Sequence, residues 1–161
     1  MKLLVLSDSH GTIQYMCSAI QREQPDYVIH LGDHSRDLSQ LMRQFPMLPM
    51  VSVRGNCDYS EFDVPEQRLA EYDGIRVFMS HGHRYGVKSG LLRYYMNARE
   101  NQVDVALFGH THSAFCEKKD GLWLLNPGSC GYGRPSCGIV NIADGQVSCV
   151  VKSIAESEEL L

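Results

Sequence analysis

Seven residues carry donor atoms suited to chemistry and fall at comparable places in the chain: Asp8, His10, Asp33, Asn56, His81, His110 and His112. Each comes just after a short apolar run rich in β-branched residues. Lys2–Leu6 runs into Ser7-Asp8-Ser9-His10, Tyr27–Leu31 into Gly32-Asp33-His34, and Met50–Val53 into Arg54-Gly55-Asn56-Cys57-Asp58. Ile75–Met79 leads in the same way to Ser80-His81-Gly82-His83, and Val103–Phe108 to Gly109-His110-Thr111-His112. Carboxylates and neutral imidazoles converging on one edge are the ligand chemistry of a divalent metal site. Each piece alone has a plainer reading. Asp-x-His is a common capping or loop pair, Gly-Asp and Gly-Asn are ordinary turn dipeptides, and His-x-His pairs occur on surfaces. The plain reading, however, must place five such pieces, each directly after a buried strand, and leaves many polar groups to be satisfied another way. Asp8/His10 and His110/His112 are spaced by one residue, which on extended backbone directs both members of a pair to the same side.

The elements that must position these residues can be read from periodicity. Continuous rather than alternating apolar runs suit strands buried on both faces, and ligands of open α/β sheets bind beyond the carboxyl ends of such strands. Ile13, Met16, Cys17 and Ile20 have helical spacing, with Thr12 as the expected N-cap and Pro25 beyond the end. Leu38, Leu41, Met42 and Phe45 repeat the spacing between Asp37 and Pro46. A third helix is expected over 89–100, burying Leu91, Leu92 and Tyr95. Strand–helix–strand units imply parallel pairing with right-handed crossovers. The second half changes character: Asp73-Gly74, Asp120-Gly121 and Asp144-Gly145 sit between strand-like segments and predict hairpins. The flanking strands are Gln67–Tyr72, Ala114–Lys118, Cys137–Ala143 and Gln146–Lys152. The expected architecture is α/β, two sheets face to face with helices outside, as one domain over 1–155 followed by a frayed tail over 156–161.

Composition bounds the function. The chain has 161 residues, 15 Lys+Arg against 19 Asp+Glu, and a formal charge of −4. This mild acidity argues against a protein that holds extended nucleic acid on a basic face. Hydrophobic residues make up 43%, an ordinary globular fraction that gives no sign of disorder. No segment approaches the roughly 18 apolar residues of a membrane helix, and the apolar run at the N-terminus stops at Leu6, too short for a signal sequence. The six cysteines form no Cys-x-x-Cys pair, so a reduced, cytoplasmic protein is expected. All seven histidines lie at or before His112, clustering where the metal reading needs them.

The ordered set Asp8-x-His10, Gly32-Asp33, Gly55-Asn56-x-Asp58, His81-Gly82-His83 and Gly109-His110-Thr111-His112 resembles the signature of the calcineurin-like metallophosphoesterases. The short length, Gly-Asn-Cys-Asp at 55–58, His-Gly-His-Arg-Tyr-Gly at 81–86 and Asn-Pro-Gly-Ser at 126–129 resemble its small YfcE-like phosphodiesterase branch. The resemblance implies a four-layer αββα sandwich and two divalent ions. Asp8, His10, Asp33 and His112 would hold the first, and Asp33, Asn56, His81 and His110 the second, with Asp33 bridging. Mn²⁺ is the ion the resemblance suggests; Fe²⁺, Zn²⁺ and Ni²⁺ suit the same ligands. The implied reaction is hydrolysis of a small phosphodiester or nucleotide-like ester by in-line attack of a hydroxide bridging the metals. Asn56, Asp58 and His81 are the implied catalytic residues: Asn56 donates to a phosphate oxygen, and Asp58 orients a ligand imidazole.

One position departs from the pattern. Many larger relatives carry His after the Asn, read as the acid that protonates the leaving oxygen, whereas this chain has Cys57. A thiol is a weak hydrogen-bond donor, so substrates with good leaving groups are expected to be favoured. His83, Arg54 and Arg134 are candidate substrate contacts, and Arg84 also lies close to the motifs. His30 is expected as a hydrogen-bonded core residue and His34 as an exposed one. A homo-oligomer is compatible with the sequence. The competing function is a non-catalytic metal-binding scaffold, because the resembled family includes a retromer subunit that uses this fold in that way; the complete ligand set weighs against it.

Overall fold

The computed structural model describes residues 1–154, and the tail expected over 156–161 lies outside them. Ten strands form two five-stranded mixed sheets. The first has the order β10-β9-β1-β2-β3, from β1 (Lys2–Leu6), β2 (Tyr27–His30), β3 (Met50–Ser52), β9 (Ser136–Ala143) and β10 (Gln146–Ser153). The second has the order β4-β5-β6-β8-β7, from β4 (Gln67–Tyr72), β5 (Ile75–Ser80), β6 (Val105–Leu107), β7 (Phe115–Lys119) and β8 (Leu122–Asn126). Helices α1 (Gln14–Glu23) and α2 (Asp37–Gln44) link the parallel strands β1, β2 and β3, and α3 (Leu92–Glu100) links β5 to parallel β6.

The period-2 alternation of strands divides each apolar run between two cores. In β1, Leu3 and Val5 enter the layer between the sheets, while Leu4 and Leu6 face α1 and α2 with Met16, Ile20, Leu38 and Leu41. In β5 and β6, Val77, Met79, Val105 and Leu107 enter the central layer, while Phe78 and Ala106 face outward to pack with Tyr94 and Ala98 of α3. The result is helix, sheet, sheet, helix: the four-layer sandwich, with the continuous runs buried on both faces as their pattern requires.

The hairpins close as expected. Asp73-Gly74, Asp120-Gly121 and Asp144-Gly145 all have positive φ at both residues, from 48° to 82°, the geometry of a two-residue type I′ turn. The helices differ in detail. Thr12 does not cap α1: its N-cap is Ile13, without a side-chain cap hydrogen bond. The third helix begins at Leu92 rather than 89, and Leu92 is 70% exposed, as are Met42 (41%) and Met96 (50%) on their helices. Tyr94 and Ala98 are the buried residues of α3 instead. The apolar spacing identified each helix but not which edge of the stripe faces inward.

Tyr94 is fully buried, and its hydroxyl donates to the Leu107 carbonyl at the end of β6. Tyr94→Phe keeps the ring and leaves that carbonyl without its side-chain partner. Denaturant unfolding is expected to show a loss of about 1–3 kcal/mol; a loss under about 0.5 kcal/mol would mean that the carbonyl is satisfied otherwise.

Candidate metal centre

Parallel pairing of β1 with β2 and of β5 with β6 puts their carboxyl ends on one rim, and the two sheets meet there. The approach is close. A side chain at Gly109 would place its Cβ 2.1 Å from Ser7 Oγ, and one at Gly55 would lie 2.2 Å from Asp33 Oδ1. Hydrogen bonds join the sheets at the same place: His81 Nδ1 to the Leu31 carbonyl at 2.8 Å, His110 N–H to Asp8 Oδ2 at 3.2 Å, Ser129 Oγ to the Asp8 carbonyl at 2.9 Å and Cys130 N–H to the Ser7 carbonyl at 3.0 Å.

The donor atoms gather into two groups that share a residue. Asp8, His10, Asp33 and His112 form one, Asp33, His81 and His110 the other, and within each group the ligand atoms lie within 4.8 Å of one another. His112 Nε2 is 3.1 Å from Asp8 Oδ1, and His10 Nε2 is 3.4 Å from His112 Nε2. His81 Nε2 is 3.4 Å from Asp33 Oδ2 and 3.2 Å from His110 Nδ1. Asp8 is completely buried; its Oδ2 accepts from Ser7 Oγ at 2.6 Å, but its Oδ1 has no hydrogen-bond partner. A buried carboxylate oxygen without a proton donor is costly unless a cation takes it. Together with an oxygen and imidazole donor set, that oxygen fits a divalent ion.

The local backbone is not extended at these residues. Asp8, His10, Asp33, His110 and His112 have φ of 56°, 49°, 58°, 71° and 59°, and His34 has 66°. Convergence of each pair therefore comes from left-handed bends at the strand ends, not from alternation along a strand. Asp and His enter this region more readily than bulkier residues, and the hydrogen bonds between the sheets over-determine the strained conformation.

The electrostatics follow from the packing. Burial alone would raise the pKa of Asp33, but the His81 imidazole and the Cys57 N–H at 2.9 Å outweigh it and hold the carboxyl well below its usual range. Burial likewise works against protonated His81, but Asp33 and Asp8 prevail and raise its pKa. His110 is pushed down to about 4 by burial, reinforced by His81 and Lys88. His10 is lowered by burial despite Asp8 and Asp33.

Other expected site residues are placed differently. Asp58 meets no imidazole in a hydrogen bond: its Oδ2 accepts from Asp33 N–H (2.9 Å) and Gly55 N–H (2.7 Å), and its Oδ1 from Ser35 N–H (2.9 Å). It positions the Asp33 loop through backbone, because a carboxylate can bind several amide protons at once. The Asn56 side chain is exposed and its Nδ2 faces Cys57 Sγ at 3.6 Å, with no hydrogen bond to the other six ligand positions. Arg54 is engaged by Glu66 at 3.2 Å, and Arg84 binds the same carboxylate at 3.0 Å. Arg134 is exposed. His83 lies beside the centre, its ring 5.5 Å from that of His81, with its Nδ1 buried and unpartnered.

His30 is the hydrogen-bonded core residue expected. Gly32 N–H donates to its Nδ1 (3.2 Å), so its Nε2–H faces Ser9 Oγ (3.0 Å), which donates to Asp37 Oδ2 (2.7 Å). His34, expected to be exposed, is half-buried, with its ring 5.1 Å from that of His10. Sequence reasoning missed Tyr132, whose ring lies 4.8 Å from His10 and stacks on His112 at 5.9 Å. Only the glycines on either side of it, marking a tight loop, hinted at it.

Comparison with known proteins gives the family and the fold. The model of the calcineurin-like phosphoesterase superfamily domain matches residues 1–145. A probable metallophosphoesterase, YsnB of Bacillus subtilis, is 36% identical over 132 residues, covering 80% of this chain and 75% of that protein. A phosphodiesterase of Methanocaldococcus jannaschii is 29% identical over 162 residues, covering 88% and 93%. Wild-type Vps29 of Entamoeba histolytica, solved in complex with zinc, shares the fold with a TM-score of 0.71 at 21% identity, covering 96% and 100% of the two chains. The chain belongs to the calcineurin-like phosphoesterase superfamily, and with it to the metallophosphoesterases, whose chemistry depends on divalent metal.

Two outcomes are expected. Asp58→Asn keeps the shape but offers one acceptor oxygen to three backbone donors. Divalent-ion affinity, measured by chelator competition, should fall about 10–100-fold, and unchanged affinity would remove Asp58 from the support of the site. Ligand imidazoles must be neutral to bind metal, so protons compete with the ion. Because the pKa of His81 is raised and that of His110 lowered, affinity should rise with pH through the His81 titration and level off above it. A flat affinity between about pH 5 and 8 would contradict this.

Proposed function

We propose that the protein is a phosphodiesterase that hydrolyses small phosphate esters with two divalent ions, Mn²⁺ being the expected metal. The observation that carries this reading is Asp33, a carboxylate common to both donor groups, beside a buried Asp8 oxygen that no protein hydrogen bond satisfies. Asp8, His10, Asp33 and His112 would hold one ion; Asp33, His81, His110 and, after rotation of its exposed side chain, Asn56 would hold the other. When bound, such a pair supplies Lewis acidity to a phosphoryl oxygen and lowers the pKa of a coordinated water.

The protein's own groups fix how that chemistry is delivered. The Leu31 carbonyl takes the Nδ1–H of His81 and so presents Nε2 to the ion. Ser7 and the His110 backbone N–H occupy Asp8 Oδ2 and leave Oδ1 as its ligand atom. Asp58 holds the loop that carries Asn56, whose amide can donate to a phosphoryl oxygen. Burial and the negative charge of Asp33 raise the pKa of Cys57, keeping it a neutral thiol and a poor proton donor to a leaving alkoxide. Activated aryl diesters, which need no such donor, are the suited test substrates. Among the described residues no helix is long and apolar enough to cross a membrane. Six free cysteines are consistent with the proposed cytoplasmic location, and 1–155 is the proposed extent of the single domain.

The test is hydrolysis of a chromogenic aryl phosphodiester by chelated protein before and after Mn²⁺ addition. Activity should be absent without metal and restored with it, and Asp33→Asn should retain less than about one hundredth of it while remaining folded. Folded, metal-loaded protein that hydrolyses no phosphate ester would instead support a non-catalytic metal-binding module of the same fold.

A further inference from the structure

Two imidazoles of the first donor group reach solvent: the His112 side chain is 39% exposed and His10 is half-buried, whereas His81 of the second group is fully buried. Three rings stand around His10, with centroids at 5.1 Å (His34), 5.2 Å (His112) and 4.8 Å (Tyr132). Tyr132 also lies over His112, at 5.9 Å with 27° between the ring planes. Both imidazoles that Tyr132 touches therefore belong to the first group, Asp8, His10, Asp33 and His112.

Tyr132 is 56% exposed, yet its place is set from the backbone up. The Asn-Pro-Gly-Ser turn at 126–129 ends on buried Ser129, whose Oγ donates to the Asp8 carbonyl (2.9 Å) and accepts from the N–H groups of Gly131 (3.1 Å) and Tyr132 (2.9 Å). Cys130 N–H donates to the Ser7 carbonyl at 3.0 Å, and a Cβ at Gly131 would lie 2.2 Å from the Ser9 carbonyl oxygen. The segment that carries Tyr132 is thus seated on the stretch that carries Asp8 and runs on to His10. At its other end, buried Asn126 donates from Nδ2 to the Gly109 carbonyl (3.1 Å) and to Thr111 Oγ1 (2.9 Å), gripping the loop that carries His112. These two loops follow β1 and β6, strands of different sheets, and the segment 126–132 holds them together.

We propose that Tyr132 is a positioning residue for the first ion alone: its ring, lying on His10 and His112, holds both imidazoles in their ligating orientation. The proposal rests on the two-ion reading above. An exposed imidazole is free to turn about its side-chain torsions, and a turn of His112 takes its Nε2 away from Asp8 Oδ1, now 3.1 Å distant. Contact between ring faces restrains that turning. An imidazole that ligates a cation is drawn positive, and the face of a phenol ring attracts such a group, so the contact strengthens as the ion binds. The ring carries this role and the hydroxyl does not.

Titration of the full, chelator-stripped chain with Mn²⁺, followed by the electron paramagnetic resonance signal of free Mn²⁺, counts the ions and gives their affinities without relying on turnover. Tyr132→Ala is expected to weaken one ion about 10-fold, while the other stays within about 2-fold of wild type. Tyr132→Phe should match the wild type. In a chain already carrying His10→Ala and His112→Ala, which keeps the second group alone, adding Tyr132→Ala should change the affinity for the remaining ion by no more than about 2-fold. Weakening of both ions or of neither overturns the proposal, as does Tyr132→Phe behaving like Tyr132→Ala, or a metal-free Tyr132→Ala chain that no longer folds. In each of those cases wild-type binding of two ions leaves the metal reading standing. A wild-type chain that takes up fewer than two ions defeats that reading, and the role of Tyr132 with it.

Discussion

Two carboxylates are held out of water where the sheets meet: Asp8 is fully buried and Asp33 is 3% exposed. Removing such charge from solvent is expensive unless it is paired and hydrogen-bonded. Much of the surrounding architecture answers that constraint. Ser7 and the His110 N–H serve Asp8, while Cys57 N–H and His81 serve Asp33. Even so, Asp8 Oδ1 is left over, and the imidazoles facing it are those of His10, His81 and His112. A centre so built holds a buried acceptor that the protein's own donors do not satisfy.

The same constraint explains the close approach of backbone at the rim. Donors from four chain segments can share two small volumes only if the loops between them come nearly into van der Waals contact. Gly55 against Asp33 and Gly109 against Ser7 meet that need by having no side chain, since a Cβ at either would overlap the atoms that arrange the ligands. Asp58 adds stiffness by gathering three amide protons from two loops. Beneath it, the His30–Ser9–Asp37 chain ties the Asp8–Gly11 loop to β2 and the first turn of α2, with Asp37 also accepting from Gly11 N–H at 2.8 Å.

The rim therefore divides into parts with different duties. Asp8 and Asp33 bear the charge, with the imidazoles of His10, His81, His110 and His112 beside them; Ser7, Asp58 and the Leu31 carbonyl set the geometry; Tyr132 forms an exposed aromatic flank. Arg54 and Arg84, attractive as phosphate contacts by position in the chain, share the single carboxylate of Glu66. That pairing keeps Glu66 ionised, its pKa lowered chiefly by Arg84.

Legible in the sequence itself were the strands, the hairpin turns, the two facing sheets and the six donor residues that the structure brings together. These features are local: apolar runs, Asp-Gly pairs and donors placed just after strands depend on neighbours a few residues away. Tertiary structure alone decided how the donors converge. Asp8/His10 and His110/His112 look like alternation on a strand, but their left-handed φ arises from hydrogen bonds to residues about a hundred positions distant. Asp58 looks like a partner for imidazole and serves backbone amides, because which donors reach a carboxylate depends on how loops fold back. Tyr132 was invisible as a member of the rim, since the return of β9 to pair with β1 brings its loop to His10 and His112. Residue type and spacing specify what chemistry is available; the packing of two sheets specifies which atoms face it.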